Sequence, residues 1–182
     1  MDTEQQILAK ILQGDRKAMA SLYHLYAGYA TAVTHRYLSQ TADARDVLQE
    51  SFLKIFANIR HFHYKGEGSL KAWMLRIVSN EAINSLRSQA KVSFTDEFPD
   101  EMEEVEPEVE DIPPEMINKM VGLLPPGYRV VLNLFVFEHK SHKEIAQLLG
   151  IKEDTSASQF CRAKKMLAKM IKDYQNQRYD KK

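Results

Sequence analysis

Apolar residues recur along this chain three and four positions apart, and nowhere do they alternate in twos over a useful length. That spacing lines up one face of an α-helix, so the pattern predicts helices throughout. The first is opened by Thr3 and Gln6, a pair that can satisfy each other's free backbone amides as a capping box. Ile7, Leu8, Ile11 and Leu12 then face inward, and Gly14 ends it. Asp15 is placed to cap a second helix whose inward positions are Met19, Leu22, Tyr26, Tyr29, Ala30 and Val33. The clearest period lies over 43–59, where Ala44, Val47, Leu48, Phe52, Ile55, Phe56 and Ile59 share one face. After a loop at 61–68, Ser69 is the expected cap of a helix buried through Leu70, Met74, Ile77, Val78 and Leu86.

The second half repeats the pattern with sharper punctuation. Pro114 opens a short helix with Met116, Ile117, Met120, Val121 and Leu124 inward, and Pro126 sits near the first turn of the next, which runs to about residue 138. Ser141 and Glu144 form another capping box, followed by Ile145, Ala146, Leu148 and Leu149. Gly150 stands where a left-handed residue ends a helix. Thr155 is the expected cap of the last helix, with Phe160, Ala163 and Leu167 inward. Helix, short glycine-containing turn and helix with a basic outer face make the helix-turn-helix pattern. The fold class is all-α: two small helical domains.

Charge locates the boundary between them. The formal net charge of zero over 182 residues hides a division into blocks. Residues 1–90 carry 11 basic and 8 acidic side chains, 91–118 carry 1 and 11, and 119–182 carry 13 and 6. The acidic stretch also holds Pro99, Pro107, Pro113 and Pro114, and self-repulsion extends such a segment. Domains are therefore expected at 1–90 and 114–175, joined by an acidic flexible linker at 91–113 and followed by a tail at 176–182. A basic last block suits a polyanionic partner, because local charge sets the field a nucleic acid meets. One cysteine, Cys161, excludes an internal disulfide and fits a reducing compartment, with the cytoplasm as the expected location. No apolar stretch reaches membrane-spanning length and the amino terminus lacks a signal-peptide pattern, so no membrane insertion is expected.

Three polar ridges carry candidate chemistry. On the helix over 43–59, Asp46, Gln49, Glu50 and Leu53 fall opposite the core stripe; an apolar Leu53 among carboxylates suggests a protein contact. On the next helix Trp73, Arg76, Asn80, Asn84 and Arg87 lie at steps of three, four, four and three. A ring can stack on an unpaired base, a guanidinium neutralises phosphate and an amide presents a donor and an acceptor to a base edge. The preceding loop adds His61, Phe62, His63, Tyr64 and Lys65. In the last helix Ser158, Gln159, Arg162 and Lys165 are expected outward, nearest the end that enters a major groove. An enzyme is the competing class. The six histidines form no HExxH, and the chain has no phosphate-binding glycine loop and no GxSxG elbow, so neither catalytic residues nor a metal or cofactor is expected.

The segments DARDVLQESFLKIFANI, GSLKAWMLRIVSNEAINSLRS and LPPGYRVVLNLFVFEHKSHKEIAQLLGIKEDTSASQFCRAKKML, in that order across a variable linker, resemble an RNA polymerase sigma factor of the sigma-70 family, extracytoplasmic-function (ECF) subgroup. The resemblance implies a region 2 domain that binds the clamp of core RNA polymerase through Asp46, Gln49, Glu50 and Leu53. That domain would open the minus-ten element of promoter DNA with the 61–65 loop and Trp73, Arg76, Asn80, Asn84 and Arg87. It implies a region 4 domain that binds the minus-thirty-five element through Thr155, Ser158, Gln159, Arg162 and Lys165 and contacts the polymerase flap. An anti-sigma factor is the further partner it implies, and the family has no catalysis of its own. The chain departs from the family pattern at Asn84, where many relatives have Asp, at Ala157, where Lys or Arg is frequent, and at Ser156, where relatives often place an apolar residue. The alternative is a helix-turn-helix transcriptional regulator that binds DNA without forming a holoenzyme.

Overall fold

The computed structural model describes residues 3–39, 41–88 and 112–179. The chain divides into two compact units, Met1–Ser88 and Gln89–Lys182, and among the described residues every regular element is helical. The expected acidic linker falls almost wholly at 89–111, outside the described residues, as does the end of the expected tail at 180–182.

Unit 1 holds α1 (Glu4–Leu12), α2 (Arg16–Tyr37), α3 (Thr41–Asn58), a 3₁₀ turn (Ile59–His61) and α4 (Ser69–Ser88). α2 packs on α1, α3 and α4, and α3 packs on α4. The shared core is built from Leu22, Tyr37, Ile55, Ile59, Leu70, Met74, Val78 and Leu86. The Thr3–Gln6 capping box forms in both directions, and the Asp15 carboxylate accepts from the amides of Lys17 and Ala18. Two inward expectations fail. Leu12 is 48% exposed because only Ile7, Leu8 and Ile11 of α1 are buried. Tyr29 is 52% exposed, and its ring instead lies under the Lys71 ammonium, 3.5 Å from the centroid, a cation–π contact. Buried hydroxyls at Thr34 and Ser51 are satisfied by the carbonyls of Ala30 and Val47 one turn back.

Unit 2 holds α5 (Pro114–Leu123), α6 (Pro126–Val136), α7 (His142–Leu149) and α8 (Glu153–Tyr179). α8 packs on α5, α6 and α7. Val121, Leu124, Tyr128, Leu132 and Ala163 form one core cluster and Ile112, Met120 and Ile171 another. The unit is therefore longer at both ends than the expected 114–175: Ile112 packs into it, and α8 continues to Tyr179. Arg129 is buried, and its Nη1 donates to the Gly122 carbonyl at 2.5 Å, a cation at the negative end of α5. Burial holds its pKa below the ordinary guanidinium value.

The Ser141–Glu144 box closes the start of α7 and Gly150, at φ +67, ends it in the left-handed conformation. A three-residue turn then leads into α8, which begins at Glu153, two residues before the expected cap at Thr155.

Candidate nucleic-acid interface

In unit 1 the sequence ridge is real but only part of it converges. α3 ends at Asn58, the 3₁₀ turn carries the chain round, and α4 returns alongside. Together they leave an open pocket of about 360 Å³ lined by Lys54, Asn58, His61, Trp73, Ile77, Asn80 and Glu81. His61, Trp73 and Asn80 are thus brought together. Trp73 is half-buried and is backed by Phe62, ring centroids 5.1 Å apart. Arg76, Asn84 and Arg87 are exposed on α4 but do not line the pocket, and His63, Tyr64 and Lys65 stand on the loop beside it. A ring and an amide two turns apart along α4, with cations on the adjoining loop and helix, suit an unpaired base whose phosphates stay outside.

Lys54, Asn58, Ile77 and Glu81 are members that sequence spacing did not select. Lys54 donates to Glu81 at 2.6 Å from the neighbouring helix and lies 3.8 Å from Glu50. The hydrogen bond to Glu81 is the main reason the Lys54 ammonium is held above its ordinary pKa. Asn58 donates back to the Lys54 carbonyl at 2.8 Å. The signal for Glu81 was present, since it adjoins Asn80, but its pairing depends on the register between α3 and α4, which no helical period encodes. Ile77, expected in the core, is half-buried and forms the pocket's apolar floor.

The start of α4 corrects another expectation. Ser69 is the first helical residue rather than the cap, and its hydroxyl donates to the Gly66 carbonyl at 2.6 Å while accepting from the Lys65 amide. Asp46, Gln49, Glu50 and Leu53 are all exposed on α3, Leu53 at 65%.

In unit 2 the helix-turn-helix is formed, but its outer face is not the expected one. Gln159 is 1% exposed and Thr155 9%, so neither side chain is free to meet DNA. The reason is the earlier helix start and what lies behind it. Ser156 is fully buried with its hydroxyl 3.0 Å from His142 Nδ1, and positions 155, 156, 159 and 163 form the buried side of α8, which packs on α6 and α7. His142 stacks on Phe135, centroids 4.7 Å apart, and Phe160 closes the group 4.3 Å from Phe135. Ser158, Arg162 and Lys165 are half-buried at the edges. The fully exposed line is Asp154, Ala157, Cys161 and Lys164, at steps of three, four and three. An exposed small residue at 157 is what the sequence showed as a departure from the family, and it is the outward position.

Comparisons with known proteins agree with both halves. The sigma-70 region 2 model matches residues 22–92 and the sigma-70 region 4 model matches 115–167. The chain is 28% identical to the ECF RNA polymerase sigma-E factor of Haemophilus influenzae, over 93% of this chain and 95% of that protein. It is 26% identical to the ECF sigma factor SigW of Bacillus subtilis, over 91% and 95%. Among solved structures, the sigma factor RpoE of Bartonella quintana, crystallised with the anti-sigma factor NepR, shares the fold at a TM-score of 0.52 and 22% identity, covering 86% of this chain and 98% of that one. With region 2 on the unit that carries the pocket and region 4 on the unit that carries the helix-turn-helix, the chain belongs to the extracytoplasmic-function group of sigma-70 factors.

Proposed function

We infer that this chain is an alternative sigma factor: it binds core RNA polymerase and directs it to specific promoters. The observation that carries this is the presence of region 2 and region 4 in one chain. A regulator acting without a holoenzyme needs a helix-turn-helix but has no use for region 2, so that alternative is not favoured. The work divides between the two units. In unit 1, Asp46, Gln49, Glu50 and Leu53 offer an exposed acidic and apolar face to the polymerase clamp. His61, Trp73 and Asn80 line a pocket for one unpaired base of the minus-ten strand, backed by Phe62. His63, Tyr64, Lys65, Arg76, Asn84 and Arg87 follow its backbone and neighbouring bases.

In unit 2, α8 enters the major groove of the minus-thirty-five element, with Ser158, Arg162 and Lys165 at the edges of the exposed line through Ala157, Cys161 and Lys164. Phosphate contacts there position the helix, and base edges specify the sequence. The chain supplies binding and DNA opening, while the chemistry of RNA synthesis stays with the polymerase, so no enzymatic activity of its own is required. Its place of work is the cytoplasm, where the polymerase is, and no described helix is long and apolar enough to cross a membrane. An anti-sigma factor is the partner that would hold it inactive, as the Bartonella complex suggests by analogy.

The test is reconstitution. Core polymerase mixed with the chain should form a stoichiometric holoenzyme that initiates from promoters core alone ignores, and permanganate should detect unpaired thymines near the start site. A chain that binds DNA but neither joins core polymerase nor opens a promoter would sink the reading.

A further inference from the structure

Every helix begins with free amides in its first turn, and α1 and α7 close the pair at the cap and third positions locally. Thr3 with Gln6 does so in α1, and Ser141 with Glu144 in α7. In α4 the corresponding positions are Gly68, which has no side chain, and Lys71, which cannot accept a hydrogen bond. The acceptor comes from the far end of the unit's sequence. Glu4 Oε2 accepts from the Gly68 amide at 2.9 Å and Glu4 Oε1 from the Lys71 amide at 3.4 Å, across 64 and 67 residues. A carboxylate at a helix N-terminus also meets the positive end of the helix dipole. The same Oε1 accepts from the Tyr26 hydroxyl at 2.5 Å, so α2 holds the carboxylate in place. Burial and this bond to Glu4 push the Tyr26 phenol up from its ordinary pKa, so it remains a donor.

We propose that Glu4 is a positioning residue for capture of the unpaired promoter strand, holding the base of the 62–68 loop and the first turn of α4 from the first helix. Gly68 is the last residue of the loop that carries Phe62, His63, Tyr64 and Lys65, and Trp73 lies two residues beyond Lys71. Gly66 and Gly68 both have positive φ, so the loop's own backbone is permissive and does not fix its exit. Internal ties exist through Ser69, but they bind the loop to α4 alone. Glu4 hydrogen-bonds that junction to α1 and, through Tyr26, to α2, beside the contact of Lys71 with the Tyr29 ring. Leu70 and Met74 hold α4 itself in the core, so what Glu4 adds is the tie at the loop's exit; without it, ordering that exit falls to the binding step, which weakens capture.

This inference rests on the reading that the loop and pocket hold single-stranded DNA, so the experiment tests both. Holoenzyme carrying Glu4→Gln or Glu4→Ala is measured for affinity to a premelted bubble template, affinity to core polymerase and melting temperature. Gln is isosteric and keeps one acceptor for Tyr26, but it turns an amide donor toward Gly68 or Lys71. Both variants should bind the bubble about tenfold more weakly, because ordering the loop exit is moved to the binding step, with core affinity unchanged. Tyr26→Phe, which leaves the two amide bonds in place, should lose less than half as much on a logarithmic scale. Bubble affinity unchanged in both Glu4 variants, or a parallel loss of core affinity in the isosteric Gln variant, overturns the proposal. Trp73→Ala and Phe62→Ala separate the two failures. If they weaken bubble binding while Glu4→Gln does not, only the role of Glu4 falls, and if none of them does, the single-strand reading falls with it.

Discussion

In unit 1 the parts proposed to face nucleic acid are fastened by charge: Glu4 across the start of α4, and Lys54 on Glu81 at the wall of the pocket. In unit 2 the helix proposed to face DNA is fastened by rings and a hydrogen bond, with Phe135, His142 and Phe160 packed together and His142 on Ser156. The difference follows the target. A single strand is taken up by a loop, and beyond Phe62 on Trp73 this loop has little apolar area to bury near its glycines, so polar ties hold its exit. A duplex is read by a rigid helix, and a helix can be held by burying its back. The two faces should therefore fail in different ways: one losing capture without losing its fold, the other losing fold and binding together.

The largest effect should come from removing a ring in unit 2. Phe160→Ala takes away the contact at 4.3 Å with Phe135 and opens a void beside His142. Because Phe160 is half-buried, the cost should fall below the full core value, at about 2–3 kcal/mol. Urea unfolding should show the loss, and binding to upstream duplex should fall with it. The counterpart in unit 1, Lys54→Met, should cost less than about 1 kcal/mol, since the Lys54 side chain is 44% exposed and solvent screens the pair. Equal destabilisation by the two variants would break the contrast between the two kinds of fastening.

Next in size is the stacking wall. Trp73→Ala should weaken binding of holoenzyme to a premelted template by about 1–3 kcal/mol, the range for loss of one base–aromatic stack. Closed duplex carrying only the upstream element should bind as before. Competition binding on the two templates measures the split, and an equal loss on both would mean that Trp73 supports the unit rather than the strand.

The third effect distinguishes positions on α8. Lys164→Ala should reduce the slope of log affinity against log salt by about one unit, as expected for one phosphate contact, and weaken all sequences alike. Gln159→Ala should leave base preference and salt slope unchanged and instead lower stability by about 1 kcal/mol, because its side chain is 1% exposed. Altered promoter preference in Gln159→Ala would show that α8 rotates out of this packing when it meets DNA.

That third case marks where the sequence stops being informative. Helix number, both capping boxes and the left-handed Gly150 were legible, because each depends on neighbours within four residues. The α8 face was not. Ser158, Gln159, Arg162 and Lys165 form a sound polar ridge by spacing, yet which polar residues turn inward depends on how α8 packs on α6 and α7, through contacts such as His142 to a buried Ser156 fourteen residues apart. The pocket in unit 1 was half legible for the same reason. His61, Trp73 and Asn80 could be chosen from α4 and its loop, whereas Lys54 and Glu81 meet only because two helices pack in one register. Helical spacing places Glu4 only in the first turn of α1, yet its carboxylate acts 64 residues away.

The smallest effect compares the two capping boxes, which differ in one respect: the third-position residue is Gln6 in α1 and Glu144 in α7. Gln6 does not titrate. Glu144 accepts at one carboxylate oxygen from both the hydroxyl and the amide of Ser141, at 2.7 and 2.8 Å. The hydroxyl bond is the larger cause, and the two together hold the carboxyl below its ordinary value of 4.5. A carboxyl whose pKa is lowered by folding binds fewer protons folded than unfolded. Its contribution is therefore complete above the unfolded pKa and is lost as pH falls through the folded one. Unit 2 should accordingly lose part of its stability through this box as pH falls below the ordinary carboxyl value of 4.5, while the box in unit 1 contributes nothing to the acid limb. Ser141→Ala should cost about 1 kcal/mol near neutral pH as a lost cap. It should also flatten the acid limb of melting temperature against pH, since the main cause of the shift is gone. Glu144→Gln copies the neutral box of α1 and should flatten the limb completely at that site. Parallel pH profiles for the parent and Glu144→Gln would show that the acid sensitivity of unit 2 arises elsewhere and that the two boxes are equivalent.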